Sequence, residues 1–122
     1  MKVIVAGSRN FTDYEMLKEV CDSYLSSYEN IEIVSGMAKG ADSLAIDYAN
    51  ERGYSVLEYP ADWKEFGKRA GYVRNEQMAD VGDVLIAFWD YESRGTKHMI
   101  QIATKKGLEI FIVDIREINI DF

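Results

Sequence analysis

Five short apolar runs alternate with helical patterns along the chain, and this alternation constrains the fold more than any other feature. The fourth and fifth runs are almost continuously apolar, which is typical of parallel strands covered by helices on both faces. Strand–helix–strand units of this kind have right-handed crossovers. The sequence therefore predicts a Rossmann-like, three-layer α/β/α fold whose mostly parallel sheet has the strand order 3-2-1-4-5. The predicted strands are residues Lys2–Ala6, Ile31–Val34, Ser55–Tyr59, Asp83–Phe88 and Glu109–Val113.

Apolar residues at helical spacing fill the segments between these strands. Thr12 and Glu15 predict a capping box at the first helix, in which each side chain satisfies a free amide. Gly53 is suited to end the second helix, because glycine readily adopts the left-handed conformation found there. The predicted helices begin at Thr12, cover residues 42–52 and 70–81, and run from Thr96 as N-cap to Gly107.

The 122 residues are expected to form one domain over residues 1–122, since no linker or repeat interrupts them. The tail, residues 115–122, is either an edge strand or a dimer contact. The first apolar run is too short for a signal peptide, and no run approaches a membrane span, so we expect a soluble, cytoplasmic protein without a membrane partner. Cys21 is the only cysteine, which excludes an intrachain disulfide, and its position on an apolar helical stripe indicates a core residue.

The net charge of −7 argues against a protein that mainly grips nucleic acid, so we expect no nucleic-acid partner. The basic residues, however, gather in or near the segments that follow the strands. A basic crest on an acidic body favours a small anionic ligand and discourages extended polyanions. These basic residues are Arg9, Lys39, Lys64, Lys68, Arg69, Arg74, Arg94 and Lys97.

Glycine-bearing loops follow three of the predicted strands, at the sheet edge where ligands bind in such folds. They are Gly7-Ser8-Arg9, residues 35–42 and Arg94-Gly95-Thr96. In residues 35–42 two glycines four apart lead into a helix, an arrangement that can point amides and a helix dipole at an anion. This loop matches neither the P-loop nor the Gly-x-Gly-x-x-Gly pattern. Gly95-Thr96 also opens a helix and forms a second such cradle.

Three further residues have two interpretations each at this stage. Asp42 is either the N-cap of the second helix or an acceptor for a ribose hydroxyl. Trp89 follows the fourth strand directly, so its ring either stacks on a base or caps the core. His98 is the only histidine, which makes a metal site unexpected; its default interpretation is an exposed helical residue, and the other is a catalytic role.

Five motifs lie along nearly the whole chain in a fixed order: Gly7-Ser8-Arg9, residues 35–42, Arg74-Asn75, Asp83-Val84 and Gly95-Thr96. Together they resemble the SLOG superfamily of Rossmann-like domains, and most of all its YspA/YpsA-related branch from bacteria and phages. Ser-Gly-Met-Ala-Lys-Gly-Ala-Asp, at residues 35–42, is the most specific of the five. The resemblance implies a nucleotide-binding crest and a possible homodimer, without a cofactor or a metal.

Two related groups suggest different activities. LOG phosphoribohydrolases share the Arg74-Asn75 and Gly95-Thr96 motifs, but residues 97–99 stand where their catalytic glutamate would be. Glu92, Asp90 or His98 are the candidate substitutes. The DNA-processing DprA/SMF proteins are similar at the first three motifs and bind single-stranded DNA, a role against which the net charge of −7 and the lack of extra domains weigh.

We therefore expect this chain to sense or sequester a nucleotide-derived ligand, such as a nucleoside phosphate or an ADP-ribose-like molecule. The first alternative is hydrolysis of the N-glycosidic bond of nucleoside monophosphates, and the second is binding of single-stranded DNA. The expected ligand-binding residues are Gly7, Ser8, Arg9, Ser35, Gly36, Lys39, Gly40, Asp42, Arg74, Asn75, Trp89, Gly95 and Thr96.

Overall fold

A computed structural model describes residues 1–116 of the chain. Its centre is a five-stranded sheet in which every neighbouring pair of strands is parallel. The strands are β1 (Lys2–Gly7), β2 (Glu32–Ser35), β3 (Ser55–Glu58), β4 (Val84–Trp89) and β5 (Glu109–Asp114). The strand order is β3-β2-β1-β4-β5, which confirms the predicted Rossmann-like topology.

Helices cover the two faces of the sheet and create two apolar cores. Side chains of the first two helices pack on one face, and side chains of the last two helices pack on the other. Cys21 lies in the first core, where burial raises the pKa of its thiol to about 12, as expected for a structural residue. No helix in the described residues is long and apolar enough to cross a membrane. The helices are α1 (Tyr14–Leu25), α2 (Ala41–Arg52), α3 (Trp63–Phe66), α4 (Ala70–Val81) and α5 (Arg94–Lys105), with a 3₁₀ turn at Gly67–Arg69.

The starts of α1 and α5 correct two predicted caps. Asp13, not Thr12, caps α1, because its carboxylate accepts a hydrogen bond from the Met16 amide at 3.0 Å. Ser93, not Thr96, caps α5, and its hydroxyl accepts from the Thr96 amide at 3.3 Å. In each case a nearby residue with a stronger N-cap preference than threonine holds the position, so the prediction was displaced by one to three residues.

The start of α2 also differs from the prediction. Gly40 is the N-cap and makes no side-chain cap, whereas Asp42 lies in the first turn of the helix. Of the two interpretations of Asp42, the N-cap is therefore excluded. Its carboxylate is directed back into the preceding loop, where it accepts a hydrogen bond from the Ala38 amide at 3.3 Å.

The fifth strand corrects the expectation that helices cover it on both faces. β5 lies at the edge of the sheet, and four of its six residues are exposed. Phe111 meets α1 mainly through Tyr24, whose ring centroid lies 5.8 Å away, and the Phe111 side chain stays 43% exposed. An apolar run predicts a strand, but it does not show how much of that strand the neighbouring helices cover. Most of the predicted tail, residues 117–122, lies outside the described residues.

Candidate functional site

The carboxyl ends of β1 and β4 border a cavity of about 500 Å³. These two strands flank the point where the chain changes from one side of the sheet to the other, which is the usual ligand position in such folds. The floor is apolar and consists of Ala6, Met78 and Met99. The polar and charged residues of the lining are Ser8, Arg9, Asn10, Asp42, Lys68, Arg74, Asn75, Asp90, Glu92, Ser93 and Thr96.

A buried carboxylate and a partly buried guanidinium form one wall of the cavity. Asp42 is only 6% exposed, and burial raises its pKa to about 6 even though Arg74 and Arg9 favour the charged form. Burial lowers the pKa of Arg74, and the neighbouring Asp42 opposes this effect. The two side chains therefore form a charge pair in a poorly solvated place, and each limits the cost of burying the other.

Backbone and side-chain hydrogen bonds hold Arg74 in this position. Its Nη1 donates to the Gly36 carbonyl oxygen, and its Nε donates to Asn75 Oδ1 at 3.1 Å. A Cβ atom at Gly36 would lie 2.6 Å from Arg74 Nη1 and 2.8 Å from Asp42 Oδ2. Gly36 is thus required because the charge pair packs directly against the backbone there.

Three amides of the loop at residues 35–42, those of Met37, Ala38 and Ala41, donate to protein groups. The Met37 amide donates to Ser35 Oγ at 3.2 Å, and the Ala41 amide donates to the Ser8 carbonyl at 3.4 Å. Gly40 has a φ of 80°, and a Cβ atom there would overlap the carbonyl oxygens of Ser8 and Arg9. Of this loop, Ala38 and Asp42 line the cavity, whereas Ser35, Gly36, Lys39 and Gly40 are outside the lining and support the charge pair from behind.

The loop between β4 and α5 has a different construction. Asp90 Oδ1 accepts hydrogen bonds from the amides of Ser93, at 2.8 Å, and Glu92, at 2.9 Å, and the Ser93 bond is the main reason that the pKa of Asp90 is lowered. The Asp90 amide donates to Ser8 Oγ at 3.3 Å and joins this loop to the one after β1. Gly95 and Thr96 then bring the positive end of α5 to the cavity.

Asn75 and His98 connect the two helices below this loop. Asn75 Nδ2 donates to the Gly95 carbonyl at 3.2 Å and lies 3.1 Å from His98 Nδ1. The His98 ring packs edge-on against Tyr72, and burial lowers the pKa of His98. His98 lies outside the lining, and Asp90 is engaged in the turn, so of the three candidate catalytic residues only Glu92 lies exposed at the rim.

Trp89 does not lie in the cavity, and the structure gives it a different role from base stacking. Its ring stacks on Tyr91 with centroids 4.2 Å apart, and its Nε1 donates to the Ser93 carbonyl at 3.1 Å. The Arg116 guanidinium carbon lies over the Tyr91 ring, 4.2 Å from its centroid. Trp89 therefore supports the outside of the β4–α5 loop.

The aromatic side chains at the cavity are Trp63 and Tyr72, which are 55% and 45% exposed. Tyr72 was not predicted for the site, and neither was Ser93. A signal for this wall did exist, because residues 68, 71, 72, 75 and 78 recur at helical spacing and all line the cavity. Among residues 1–116, no group of three or more His, Cys, Asp or Glu side chains is placed to hold a metal.

Comparisons with known proteins agree with this architecture. The profile described as "YspA, cpYpsA-related SLOG family" matches residues 1–66. The Gene 61 protein of Mycobacterium phage D29 is 34% identical over 116 residues, which cover 89% of this chain and 93% of the phage protein. The fold is also similar to that of two solved bacterial proteins.

The first is DNA processing protein A (DprA) from Streptococcus pneumoniae, with a TM-score of 0.75 and 20% identity over 91% of this chain. The second is DNA processing protein A from Helicobacter pylori, with a TM-score of 0.69 and 22% identity over 95% of this chain. The chain spans 49% and 66% of their lengths. The Helicobacter structure is described by its single-stranded DNA binding mode, so the expectation that excluded a nucleic-acid partner on net charge was wrong.

Proposed function

Since this chain belongs to the YspA, cpYpsA-related SLOG family, we propose that it binds a nucleoside phosphate in the cavity between β1 and β4. One observation carries this proposal. The same cavity of about 500 Å³ combines a helix N-terminus, basic side chains, a buried carboxylate and an apolar floor. A nucleotide needs partners of all four kinds, for its phosphate, its ribose and its base.

The phosphate fits the side of the cavity formed by α5 and the loop after β1. Gly95 and Thr96 provide the first turn of a long helix, and Arg9 is an exposed cation on the facing loop. Helix amides and an arginine fork are the usual protein partners of phosphate oxygens. Ser8 and Ser93 line the same side and are held in place by the Asp90 turn.

The ribose and the base fit the remaining walls. Asp42 lines the cavity, and a carboxylate there suits the hydroxyl groups of a ribose. Met78 and Met99 at the floor and the exposed rings of Trp63 and Tyr72 at the rim suit a base. The lining carries three cations, Arg9, Lys68 and Arg74, and three carboxylates, Asp42, Asp90 and Glu92, so it suits a monophosphate better than a triphosphate.

Isothermal titration with nucleoside monophosphates, triphosphates and unphosphorylated nucleosides tests the proposal. We expect the monophosphates to bind best. Arg9→Ala should weaken their binding by about tenfold, because a charge-assisted hydrogen bond is lost. Lys39→Ala is the matched control, since Lys39 is exposed and lies outside the lining. The proposal fails if no monophosphate binds more tightly than about 1 mM.

A second candidate function is the binding of single-stranded DNA across the same crest. Two observations favour it: the similarity in fold to the Helicobacter protein, and the exposed rings of Trp63 and Tyr72 beside Lys68 and Arg69. Exposed aromatic rings between basic residues are a common platform on which bases of single strands stack.

Fluorescence anisotropy with a labelled oligo(dT) tests this second function. We expect affinity to fall steeply with salt and to fall further in Trp63→Ala, because about 1–3 kcal/mol of stacking is lost. Met37→Ala is the control, since Met37 is 40% exposed but outside the lining. A monophosphate that competes with the oligonucleotide would place both ligands in one site.

A further inference from the structure

The side-chain amide of Asn75 joins α4 to α5 at the base of the cavity, and all of its hydrogen-bonding groups are engaged. Asn75 is 5% exposed and lines the cavity. Its Oδ1 accepts from Arg74 Nε at 3.1 Å, and its Nδ2 donates to the Gly95 carbonyl at 3.2 Å. The second hydrogen of Nδ2 is left for His98 Nδ1, which lies 3.1 Å away.

The neighbours of Asn75 permit only one orientation of this amide. Arg74 Nε can only donate a hydrogen bond, and the Gly95 carbonyl can only accept one. Turning the amide over would set its nitrogen against the Arg74 donor and its oxygen against the Gly95 oxygen. Asn75 therefore presents a donor to His98, and His98 Nδ1 must accept it. In this network His98 is consequently neutral, with its proton on Nε2.

Protonation of His98 is incompatible with these bonds, because an imidazolium carries a donor at both ring nitrogens. The new N–H at Nδ1 would face the donor of Asn75, and neither orientation of the amide then satisfies His98, Arg74 and Gly95 together. A buried amide with an unsatisfied donor is costly enough to give up one of its partners. The partners at risk are Arg74, in the charged wall, and Gly95, at the start of α5.

We propose that His98 is a positioning residue that makes ligand binding in the cavity depend on pH. The neutral ring holds Asn75, and through it Arg74 and Gly95, in the arrangement that binds the ligand, and the charged ring releases them. This coupling rests on the proposed function, since Arg74, Asn75 and Gly95 line the cavity assigned to the nucleotide. His98 itself lies outside the lining and acts through Asn75.

The surroundings of His98 keep its ring neutral near neutral pH. Burial, the main effect, lowers the pKa of His98, and Tyr72 on α4 packs edge-on against the ring with centroids 4.5 Å apart. The carboxylate of Glu76, also on α4, opposes this shift. On α5 itself Arg94 lies one turn before His98, and the strands beneath α5 face it with apolar side chains. The release therefore occurs below the ordinary pKa of a histidine, about 6.5.

The imidazole signals in an NMR spectrum test the hydrogen-bond assignment without any ligand. His98 is the only histidine of the chain, so isotope-labelled, untagged protein gives one pair of ring-nitrogen signals. Above the midpoint of its titration we expect the Nε2–H tautomer, with Nδ1 shifted as a nitrogen without a proton. A ring that carries its proton on Nδ1 would overturn the proposal, whether or not a nucleotide binds.

The same titration with ligand present tests the coupling, because binding and ionisation affect each other reciprocally. The probe is the nucleoside monophosphate that binds best in the calorimetric panel. Saturation should move the His98 midpoint to lower pH, since the ligand favours the neutral ring. A direct attraction between imidazolium and phosphate would move it to higher pH, and that result, or no shift, would overturn the coupling. If no monophosphate binds, the proposed function fails and the coupling fails with it, while the tautomer is still determined.

Two substitutions separate the charge of His98 from its role as an acceptor. His98→Leu removes the acceptor and should weaken monophosphate binding by about fivefold at about pH 8. His98→Asn supplies an acceptor that does not titrate and should restore most of that affinity. Below the His98 midpoint the wild type should lose about fivefold more affinity than His98→Asn, although Asp42 and the phosphate titrate in both. Parallel pH profiles for the wild type and His98→Asn would overturn the proposal.

Discussion

The loops after β2 and after β4 look alike in sequence but have different structural roles. Both carry glycine and small polar residues, both lead into a helix, and both predict an anion cradle. Residues 35–42 bond their amides to Ser35, Asp42 and Ser8 and support the wall from behind. Residues 90–96 form a turn around Asp90 and present the start of α5 to the cavity.

The difference shows that a glycine can be required by a neighbour in the protein rather than by a ligand. Gly36 gives room to Arg74 and Asp42, and Gly40 gives room to Ser8 and Arg9. A Cβ atom at Gly95 would meet nothing within 4 Å, so this position stays open toward the cavity side. Of the three glycines in these two loops, only Gly95 lines the cavity, and it is the one with open space around it.

The largest expected effect contrasts these two kinds of glycine. Gly40→Val should lower the free energy of unfolding by about 4 kcal/mol or abolish folding, because it combines a positive φ with a steric clash. Gly95→Ala should leave stability unchanged or raise it by up to about 0.5 kcal/mol, because alanine favours the helix. Urea denaturation followed by circular dichroism measures both, and equal losses would refute the contrast.

A second prediction concerns how the ionisation of the buried Asp42 changes the stability of the fold with pH. Burial raises the pKa of Asp42 to about 6, so the folded protein holds this proton more tightly than the unfolded chain does. The contribution of Asp42 to stability is therefore complete below pH 4 and is lost as the pH rises through 6, by at most about 3 kcal/mol.

Comparison with a variant that lacks the Asp42 carboxylate separates this effect from those of the other carboxylates. The unfolding free energies of the wild type and Asp42→Asn are compared at several values between pH 4 and pH 7. The wild type should lose stability relative to the variant as the pH rises. A difference that stays constant over this range would show that Asp42 ionises normally.

A third prediction concerns the charge pair itself. Arg74→Met leaves the Asp42 carboxylate without its cation and should lower the free energy of unfolding by about 2 kcal/mol at pH 7. At pH 5, where Asp42 is largely protonated in the fold, the loss should be smaller. Thermal melts at the two pH values measure it, and a loss independent of pH would mean that packing, not charge, gives Arg74 its effect.

The smallest expected effect separates the loops by ligand binding. Ser35→Ala and Ser93→Ala each remove a side chain that accepts a backbone hydrogen bond, and each should cost about 1 kcal/mol of stability. Only Ser93→Ala should also weaken the binding of a nucleoside monophosphate, by several fold, because Ser93 lines the cavity. Titration calorimetry on both variants tests this, and equal weakening would remove the distinction between the loops.

The sequence predicted the sheet order and the bounds of α4 because both depend on local apolar patterns and chain connectivity. It failed where neighbours distant in sequence decide the outcome. The Gly36 carbonyl, for example, accepts a hydrogen bond from Arg74, which lies 38 residues later in the chain. The position of Trp89 after β4 was compatible with base stacking, but in the structure its ring stacks on Tyr91 instead. The apolar sequence of β5 did not indicate that this strand lies at the edge of the sheet.

The two tryptophans have an optical consequence. Trp63 stands 55% exposed at the cavity rim, whereas Trp89 is stacked on Tyr91 with its indole N–H bonded. Their emission should therefore differ in wavelength and in access to quenchers. Iodide or a bound base would dim the red-shifted Trp63 first, while Trp89 would change only when the β4–α5 loop opens. The molecule carries separate built-in fluorophores for occupancy of its cavity and for integrity of its fold.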